Sequence, residues 1–344
     1  MIPLYLLMAQ VPLRKPWPGD DAGRPMRHFG TREGLPSLSV RDVLKDRAGM
    51  LWVATDAGLA RWDGRQMEVL TVYDGLPGER VWALAEGEKE HLWIGCYGSG
   101  LALWDGQRMQ SFNTGRGLPD LRVRCLHYSS RHRLLLVGTE NGLGILRYGV
   151  FITLPGSAVA PEDIQVITGF HEGDDRIIIT SYHSGVYHYF PLEGKIIHYD
   201  WHTGLFRKSS SSAFITRAGD TLLSYGRRGL YALSRWGSSK EGDTSIGQVF
   251  SMDQDLEGRV WVAAWSHDML ERGGIYTWEN GRALPLGPGL GIQSERCWKV
   301  YCEQVQDIVW VATLDQGLYQ LLPPVIEHHS NPDADGRTDG ILSL

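Results

Sequence analysis

The 344-residue sequence has few cysteines, and their spacing fits no metal site. Cys297 and Cys302 lie five positions apart in one predicted strand, so we expect their side chains to face opposite ways. A bridge between Cys96 and Cys125, in neighbouring repeats, stays open as an alternative. Packing as a small buried hydrophobic side chain is the favoured role of each cysteine.

The signature motifs of several enzyme classes are also absent from the sequence. No GxSxG, HExxH, phosphate-binding loop or GxGxxG fingerprint occurs. Scattered serine, histidine and aspartate residues occur in any chain of this length, so they do not define a catalytic triad. We therefore predict a protein that is not an enzyme, with no catalytic residue, no metal and no cofactor.

The sequence has neither a long apolar run nor an excess of positive charge. After residue 10 no stretch approaches the 18 apolar residues that span a membrane. The formal charge of −6 gives no electrostatic reason to bind nucleic acid. Residues 1–10, MIPLYLLMAQ, are either the end of a shortened secretory signal or a disordered leader, because they lack a basic start. We predict no nucleic-acid partner and no direct membrane insertion in this segment.

The sequence does contain a repeat. Residues 34–63 read GLPSLSVRDVLKDRAGMLWVATDAGLARWD, and residues 75–105 read GLPGERVWALAEGEKEHLWIGCYGSGLALWD. The order of GLP, a valine-led run, a polar turn, LW, Gly-Leu and Trp-Asp is shared. The sequence contains seven copies in all, at a mean spacing of about 43 residues, and copies four and five are degenerate. Their marker positions are Trp52, Trp93, Leu136, Ile178, Leu223, Trp261 and Trp310.

Turn signals divide each repeat into four short strands, A to D. In the first copy these are 40–45, 51–55, 59–62 and 66–71, and Asp-Gly or Asn-Gly pairs supply the positive φ that tight hairpins need. A four-stranded sheet cannot bury both of its faces alone, so we expect seven sheets to stack around an axis and cover the faces of one another. The sequence predicts an all-β fold, a single seven-bladed β-propeller of four-stranded antiparallel blades. The recurrent tryptophans are predicted to form the core between blades.

The predicted domain boundaries follow from the repeat. Residues 1–25 form a leader and linker, residues 26–329 the propeller, and residues 330–344 an acidic tail or the start of a further module. Two segments compete to close the ring, Met26 to Gly30 and Val325 to His329. The first is favoured, because otherwise an amino-terminal strand leaves an exposed edge.

The repeat pattern resembles the two-component regulator propeller repeat, which occurs in extracytoplasmic sensor domains of bacterial hybrid two-component systems. The resemblance covers roughly residues 26–322 and is strongest in copies one and two. It implies a periplasmic or extracytoplasmic module that takes part in signal transduction. The expected partners are a small molecule or oligosaccharide, together with other domains or a second copy of a signalling protein. A propeller lyase or hydrolase acting on a glycan or cyclic peptide, and a protein-docking scaffold, are the alternatives.

Chain direction indicates which face of the propeller binds a ligand. The D–A loops with GLP and the B–C loops emerge on one face, where propeller loops converge on a channel mouth. The B–C loops of copies two, four and six add aromatic and imidazole groups, and that of copy five adds two arginines. The predicted ligand-binding residues are Tyr97, Tyr182, His183, Arg227, Arg228, Trp265 and His267.

Other polar residues receive a plainer interpretation. Asp56, Asn141 and Asp315 precede a turn glycine and are expected to satisfy local backbone groups. Asp253 and Asp255 imitate the start of a calcium loop but coincide with an ordinary A–B turn. The segment NPDADGRTD, residues 331–339, matches more calcium-ligand positions and is interpreted either as a flexible acidic tail or as a calcium loop.

Overall fold

The computed structural model describes residues 24–155, 157–199, 209–226, 229–233, 239–266 and 272–323. These residues form seven antiparallel sheets of four strands each, as predicted. None of the described helices is long and apolar enough to cross a membrane.

Blades one to three follow the chain in order. Blade one contains β2 (Val40–Lys45), β3 (Leu51–Thr55), β4 (Gly58–Trp62) and β5 (Met67–Leu70). Blade two contains β6 (Val81–Glu86), β7 (Leu92–Cys96), β8 (Gly100–Trp104) and β9 (Met109–Phe112). Blade three contains β10 (Val123–Ser129), β11 (Leu134–Thr139), β12 (Leu143–Arg147) and β13 (Val150–Phe151).

Blades four to six repeat the arrangement. Blade four contains β14 (Ile167–Glu172), β15 (Ile177–Ser181), β16 (Gly185–Phe190) and β17 (Lys195–His198). Blade five contains β18 (Ser212–Ile215), β19 (Thr221–Ser224), β20 (Leu230–Leu233) and β21 (Ser239–Asp243). Blade six contains β22 (Gln248–Gln254), β23 (Val260–Trp265), β24 (Gly274–Glu279) and β25 (Arg282–Pro285), and a helical turn, α1 (Gly287–Leu290), follows it.

Blade seven combines the two ends of the described chain. Its inner strands are β26 (Cys297–Cys302), β27 (Val309–Thr313) and β28 (Leu318–Leu321), and its outer strand is β1 (Met26–Phe29). Met26 pairs with Leu321 and Phe29 with Leu318. The favoured closure by the amino-terminal strand is therefore confirmed. The competing segment, Val325 to His329, lies outside the described residues.

The first strands of consecutive blades contact one another around the whole ring, including β26 with β2. They therefore surround a central channel, and the blades pack face to face around it. Trp52, Trp93, Trp261 and Trp310 are all buried between blades, as predicted. In blade five the residue at the tryptophan position is Leu222 rather than Leu223. It packs towards blade six, whereas Leu223 packs towards blade four.

A carboxylate in the A–B turn accepts a hydrogen bond from the buried tryptophan of its blade in blades one, six and seven, where Glu303 is the acceptor in blade seven. Asp255 accepts hydrogen bonds from Trp261 Nε1 at 2.8 Å and from the backbone of Arg259 at 2.8 Å. Asp46 accepts a bond from Trp52 Nε1 at 2.7 Å. The calcium-like run around Asp255 is therefore the predicted turn. The other calcium-like segment, residues 331–339, lies outside the described residues.

A GLP sequence ends the D–A connection that leads into each of the first three blades. A 3₁₀ turn, Thr31–Glu33, Val72–Asp74 or Thr114–Arg116, ends at the glycine, and the leucine that follows is buried. A fourth 3₁₀ turn covers Pro161–Asp163. Gly34 has φ 101°, and a Cβ there would lie 2.9 Å from the Cβ of Met67. Glycine is therefore needed at this position both for its left-handed backbone conformation and because there is no room for a Cβ.

All four cysteines are free, so the open alternative of a Cys96–Cys125 bridge is wrong. Both Cys297 and Cys302 are buried in the same hydrophobic cluster, so the expectation that they face opposite ways is also wrong. A β-bulge between Cys297 and Lys299 shifts the strand's alternation by one residue.

Candidate functional site

The first strands of six blades contain a β-bulge one or two residues after they begin. A bulge leaves one residue outside the alternation of the strand and redirects its side chain. Because the first strands line the channel, these side chains gather at its mouth, on the face of the B–C and D–A loops. The bulged residues are Arg41, Trp82, Arg124, Thr168, Phe250 and Trp298.

Aromatic rings from blades two, six and seven form a continuous surface at this mouth. Trp82 stacks on Tyr97 with ring centroids 3.9 Å apart, and Phe250 stacks on Trp298 at 4.1 Å. The two pairs meet where Trp82 and Trp298 lie 6.4 Å apart. Trp265 lies 5.9 Å from Phe250 and 6.2 Å from Trp298. We call these five residues the aromatic crescent.

Arg41 of blade one joins the two halves of the crescent. Its guanidinium carbon lies 4.3 Å from the ring centroid of Trp82 and 4.8 Å from that of Trp298. Asp56 holds it through an ion pair at 3.1 Å, and accepts further bonds from Ser39 at 2.6 Å and Trp82 Nε1 at 2.9 Å. Partial burial alone would raise the pKa of Asp56, but bonds from Arg41 and Ser39 outweigh it and lower that pKa. Asp56 therefore stays ionised and fixes the arginine.

A second ion pair borders the crescent on blade three. Arg124 bonds to Glu140 at 2.5 Å, and the hydroxyl of Tyr97 donates to the same carboxylate at 3.0 Å. Burial, followed by the hydrogen bond to Glu140, raises the pKa of Tyr97. The hydroxyl therefore remains a donor at neutral pH, and the contact ties blade two to blade three.

Arg80 supplies a positive charge at the mouth that no described carboxylate neutralises. It is exposed, and its guanidinium carbon lies 4.9 Å from the ring centroid of Tyr97 and 5.5 Å from that of Trp82. Within the described ranges no ion pair involves it. The mouth therefore combines flat apolar surface with the accessible guanidinium of Arg80, which can donate several directed hydrogen bonds.

The structure brings together only part of the predicted site. Tyr97 and Trp265 belong to the aromatic crescent. Tyr182 and His183 lie in the B–C turn of blade four and contact each other at 6.0 Å; no described ring contact joins either to the crescent. The remaining predicted residues, Arg227, Arg228 and His267, lie outside the described residues.

The prediction missed the bulged residues, although the repeat alignment contained a signal for them. The residue after the first apolar position of strand A is aromatic or cationic in five copies. Simple alternation does not reveal that this position faces the channel. The interpretation of Asp56 as a local turn residue is also wrong, since its carboxylate bonds to the side chains of Ser39, Arg41 and Trp82. Asp315 similarly accepts a bond from the side chain of Ser294 at 2.5 Å.

Comparison with known proteins confirms the resemblance found in the repeat. Residues 34–57 match the family model described as the two component regulator propeller. No curated protein matches the sequence.

Several solved structures share the fold at low sequence identity. Extracellular domains of two putative hybrid two component systems from B. thetaiotaomicron superpose with TM-scores of 0.67 and 0.68, at 17% and 16% identity. Each alignment covers 87% of this chain, but only 42% and 40% of those domains, so the chain spans about two fifths of their length. Virginiamycin B lyase from Staphylococcus aureus superposes with a TM-score of 0.65 at 9% identity, over 87% of this chain and 99% of the lyase.

Proposed function

We propose that this chain is the ligand-sensing propeller of an extracytoplasmic two-component signalling protein. The observation that carries the proposal is the aromatic crescent at the channel mouth, with Arg41 fixed inside it and Arg80 exposed beside it. The repeat match and the likeness to extracellular domains of two component systems support the signalling context. Its location outside the cytoplasm belongs to the same proposal.

The chemistry of the mouth suits a ligand with a flat or ring-shaped apolar face and polar edges, such as an oligosaccharide. Aromatic rings stack on the apolar faces of sugar rings, while guanidinium groups donate to hydroxyl or acidic oxygens. A ligand that stacks on Trp82 and Trp298 contacts blades two and seven at the same time. Because Trp82 also bonds to Asp56 of blade one, ligand binding can alter the contacts between blades. That coupling is the proposed route of the signal.

We infer that the site binds its ligand without transforming it. Asp56 and Glu140, two carboxylates that border the crescent, are both engaged by arginines. The lowered pKa of Asp56 makes it a weak base, which is unfavourable for proton transfer near neutral pH. Product formation from a glycan or cyclic peptide would favour the enzyme alternative instead.

A thermal-shift screen against an oligosaccharide panel tests the proposal. A ligand at about one hundred times its Kd stabilises the folded state by about 2.7 kcal/mol, which shifts the melting midpoint measurably. We expect Trp298→Ala and Arg80→Gln each to reduce the shift caused by a binding oligosaccharide. Tyr73→Ala is the matched control, because Tyr73 is 96% exposed on a loop and has no ring contact with the crescent.

Two outcomes would contradict the proposal. Equal shifts in the wild type and in both variants would place the ligand elsewhere. A folded protein that binds no oligosaccharide but captures another protein would favour the docking scaffold. Because Arg80 is exposed, its variant separates lost binding from lost folding.

A further inference from the structure

A second cavity lies away from the channel mouth, between blades four and five. Its volume is about 980 Å³, within the usual range for small-molecule sites. The A–B turns of both blades line it, at residues 173–176, 216–217 and 219, so it opens on the face opposite the aromatic crescent. Its inner wall includes Ile178 and Leu223, and its edge includes Arg176 and Arg217.

The cavity lies at a blade interface that lacks the recurrent strand-B tryptophan. In strand B, Ile178 stands where blades one, two, six and seven place a tryptophan. The hydrophobic cluster between blades four and five has five buried members among the described residues, against nine to twelve in each of the other six clusters. A smaller side chain at an otherwise repeated position leaves room that the neighbouring blade does not fill.

Aromatic and imidazole groups give the cavity wall a partly polar character. His171 and His188 both line it, and the ring of His188 lies 4.7 Å from that of Tyr199. Burial lowers the pKa of each imidazole to about 4, so both are neutral near pH 7. In the same interface, the buried hydroxyl of Tyr225 has no hydrogen-bond partner within the described ranges. Glu172 also lines the cavity, and its carboxylate is already engaged by His127 and Ser129. The wall therefore combines neutral hydrogen-bonding groups with one carboxylate that has partners of its own.

The edge of the cavity has charges of both signs, because Asp174 and Asp175 line it beside its arginines, but among the described residues Arg217 has no carboxylate partner. Arg217 bonds to neutral acceptors, the carbonyl oxygen of Asp255 at 2.7 Å and the side-chain oxygen of Gln304. Arg176 pairs through Nη1 with the exposed Asp175, but its Nε is buried and has no partner in the described part of the chain. A guanidinium group whose N–H donors are not all paired with a carboxylate favours one as a ligand, because a carboxylate accepts two N–H bonds from one arginine.

We propose that this cavity is a second ligand site, for a small amphiphilic carboxylate. Its hydrocarbon body packs against Ile178 and Leu223, and its carboxylate accepts hydrogen bonds from Arg176 and Arg217. The site is independent of the channel mouth, because it lies on the other face and shares no residue with the crescent. A bound ligand would contact the blade interface that has the smallest hydrophobic cluster among the described residues.

Decanoate is the probe for this site, and decanol is its uncharged counterpart. We expect the full chain to bind decanoate saturably, with one molecule per chain, in isothermal titration calorimetry. Ile178→Trp restores the side chain found in four other blades and fills the cavity. It is expected to weaken binding of both probes by about tenfold or more, while the melting midpoint stays the same or rises.

The charge of the probe is tested separately. Arg176→Gln and Arg217→Gln are each expected to weaken the binding of decanoate about tenfold and to leave the binding of decanol unchanged. Arg65→Gln, on an exposed turn of blade one, is the matched control and should change neither. Trp298→Ala should also leave decanoate binding intact, which separates this site from the proposed sensing site.

Three results would overturn the proposal. They are absence of saturable decanoate binding to the wild type, equal binding to a folded Ile178→Trp variant, and equal loss of decanoate and decanol binding in the arginine variants. If Ile178→Trp does not fold, the comparison of the two probes in the arginine variants decides the question.

Discussion

Replacing Phe29 by alanine tests whether β1 closes the ring. Phe29 is the last residue of β1 and is 1% exposed. Its ring lies 5.1 Å from that of Trp62 in blade one and 5.9 Å from that of Trp310 in blade seven. The side chain therefore fills the junction between the first and last blades.

The expected loss follows from this burial. A fully buried phenylalanine replaced by alanine loses its transfer free energy and leaves a cavity, at a cost of about 3–5 kcal/mol. At about 2 °C per kcal/mol for a chain of this size, the melting midpoint should fall by about 6–10 °C. The cost should be near the upper end, because two tryptophans lose ring contacts together.

The assay is thermal unfolding followed by circular dichroism, with urea unfolding to give the free energy. Tyr73→Ala is the control, since it removes an aromatic ring that is 96% exposed and should cost about 0.5 kcal/mol or less. Removal of residues 1–30 should additionally expose the edge of β28 and cause concentration-dependent association. If Phe29→Ala lowered the midpoint no more than Tyr73→Ala, the closure by β1 would be refuted.

Two further predictions concern the turn carboxylates and the imidazoles between blades. Asp255→Ala leaves the buried donors Trp261 Nε1 and the backbone of Arg259 unsatisfied, so it should cost about 2–4 kcal/mol in urea unfolding. Asp46→Ala, at the equivalent but half-buried position, should cost less, and an equal loss would contradict the burial argument. His171 has its pKa lowered to about 4 by burial, so between pH 6.5 and 4 the unfolded chain binds a proton that the folded chain does not. The free energy of unfolding should therefore fall as pH falls through that window, and His171→Leu should reduce this dependence on pH. Urea titrations at several pH values measure it, and an unchanged dependence in the variant would contradict the lowered pKa of His171.

The repeat pattern determined most of the architecture from sequence. In the clear copies GLP, the turn Asp-Gly pairs and the marker tryptophans recur in one order, and the regular spacing of the copies predicted the number of blades and the four strands of each. The first copy shows this well: its strands were predicted within about one residue of β2 to β5. The pairing of Met26–Phe29 with blade seven was favoured by the edge argument, since an unpaired strand is a liability.

Only the tertiary structure decided which side chains meet at the channel mouth. Trp82 and Trp298 belong to different blades, 216 positions apart in sequence, and a bulge in each first strand turns them towards the same opening. Alternation along a strand has a period of two and contains no information about where that period is interrupted. The cavity beside Ile178 was likewise decided by packing, because a missing tryptophan becomes a void only when the facing blade does not fill it. The sequence alone determined the ring, whereas contacts between blades determined its sites.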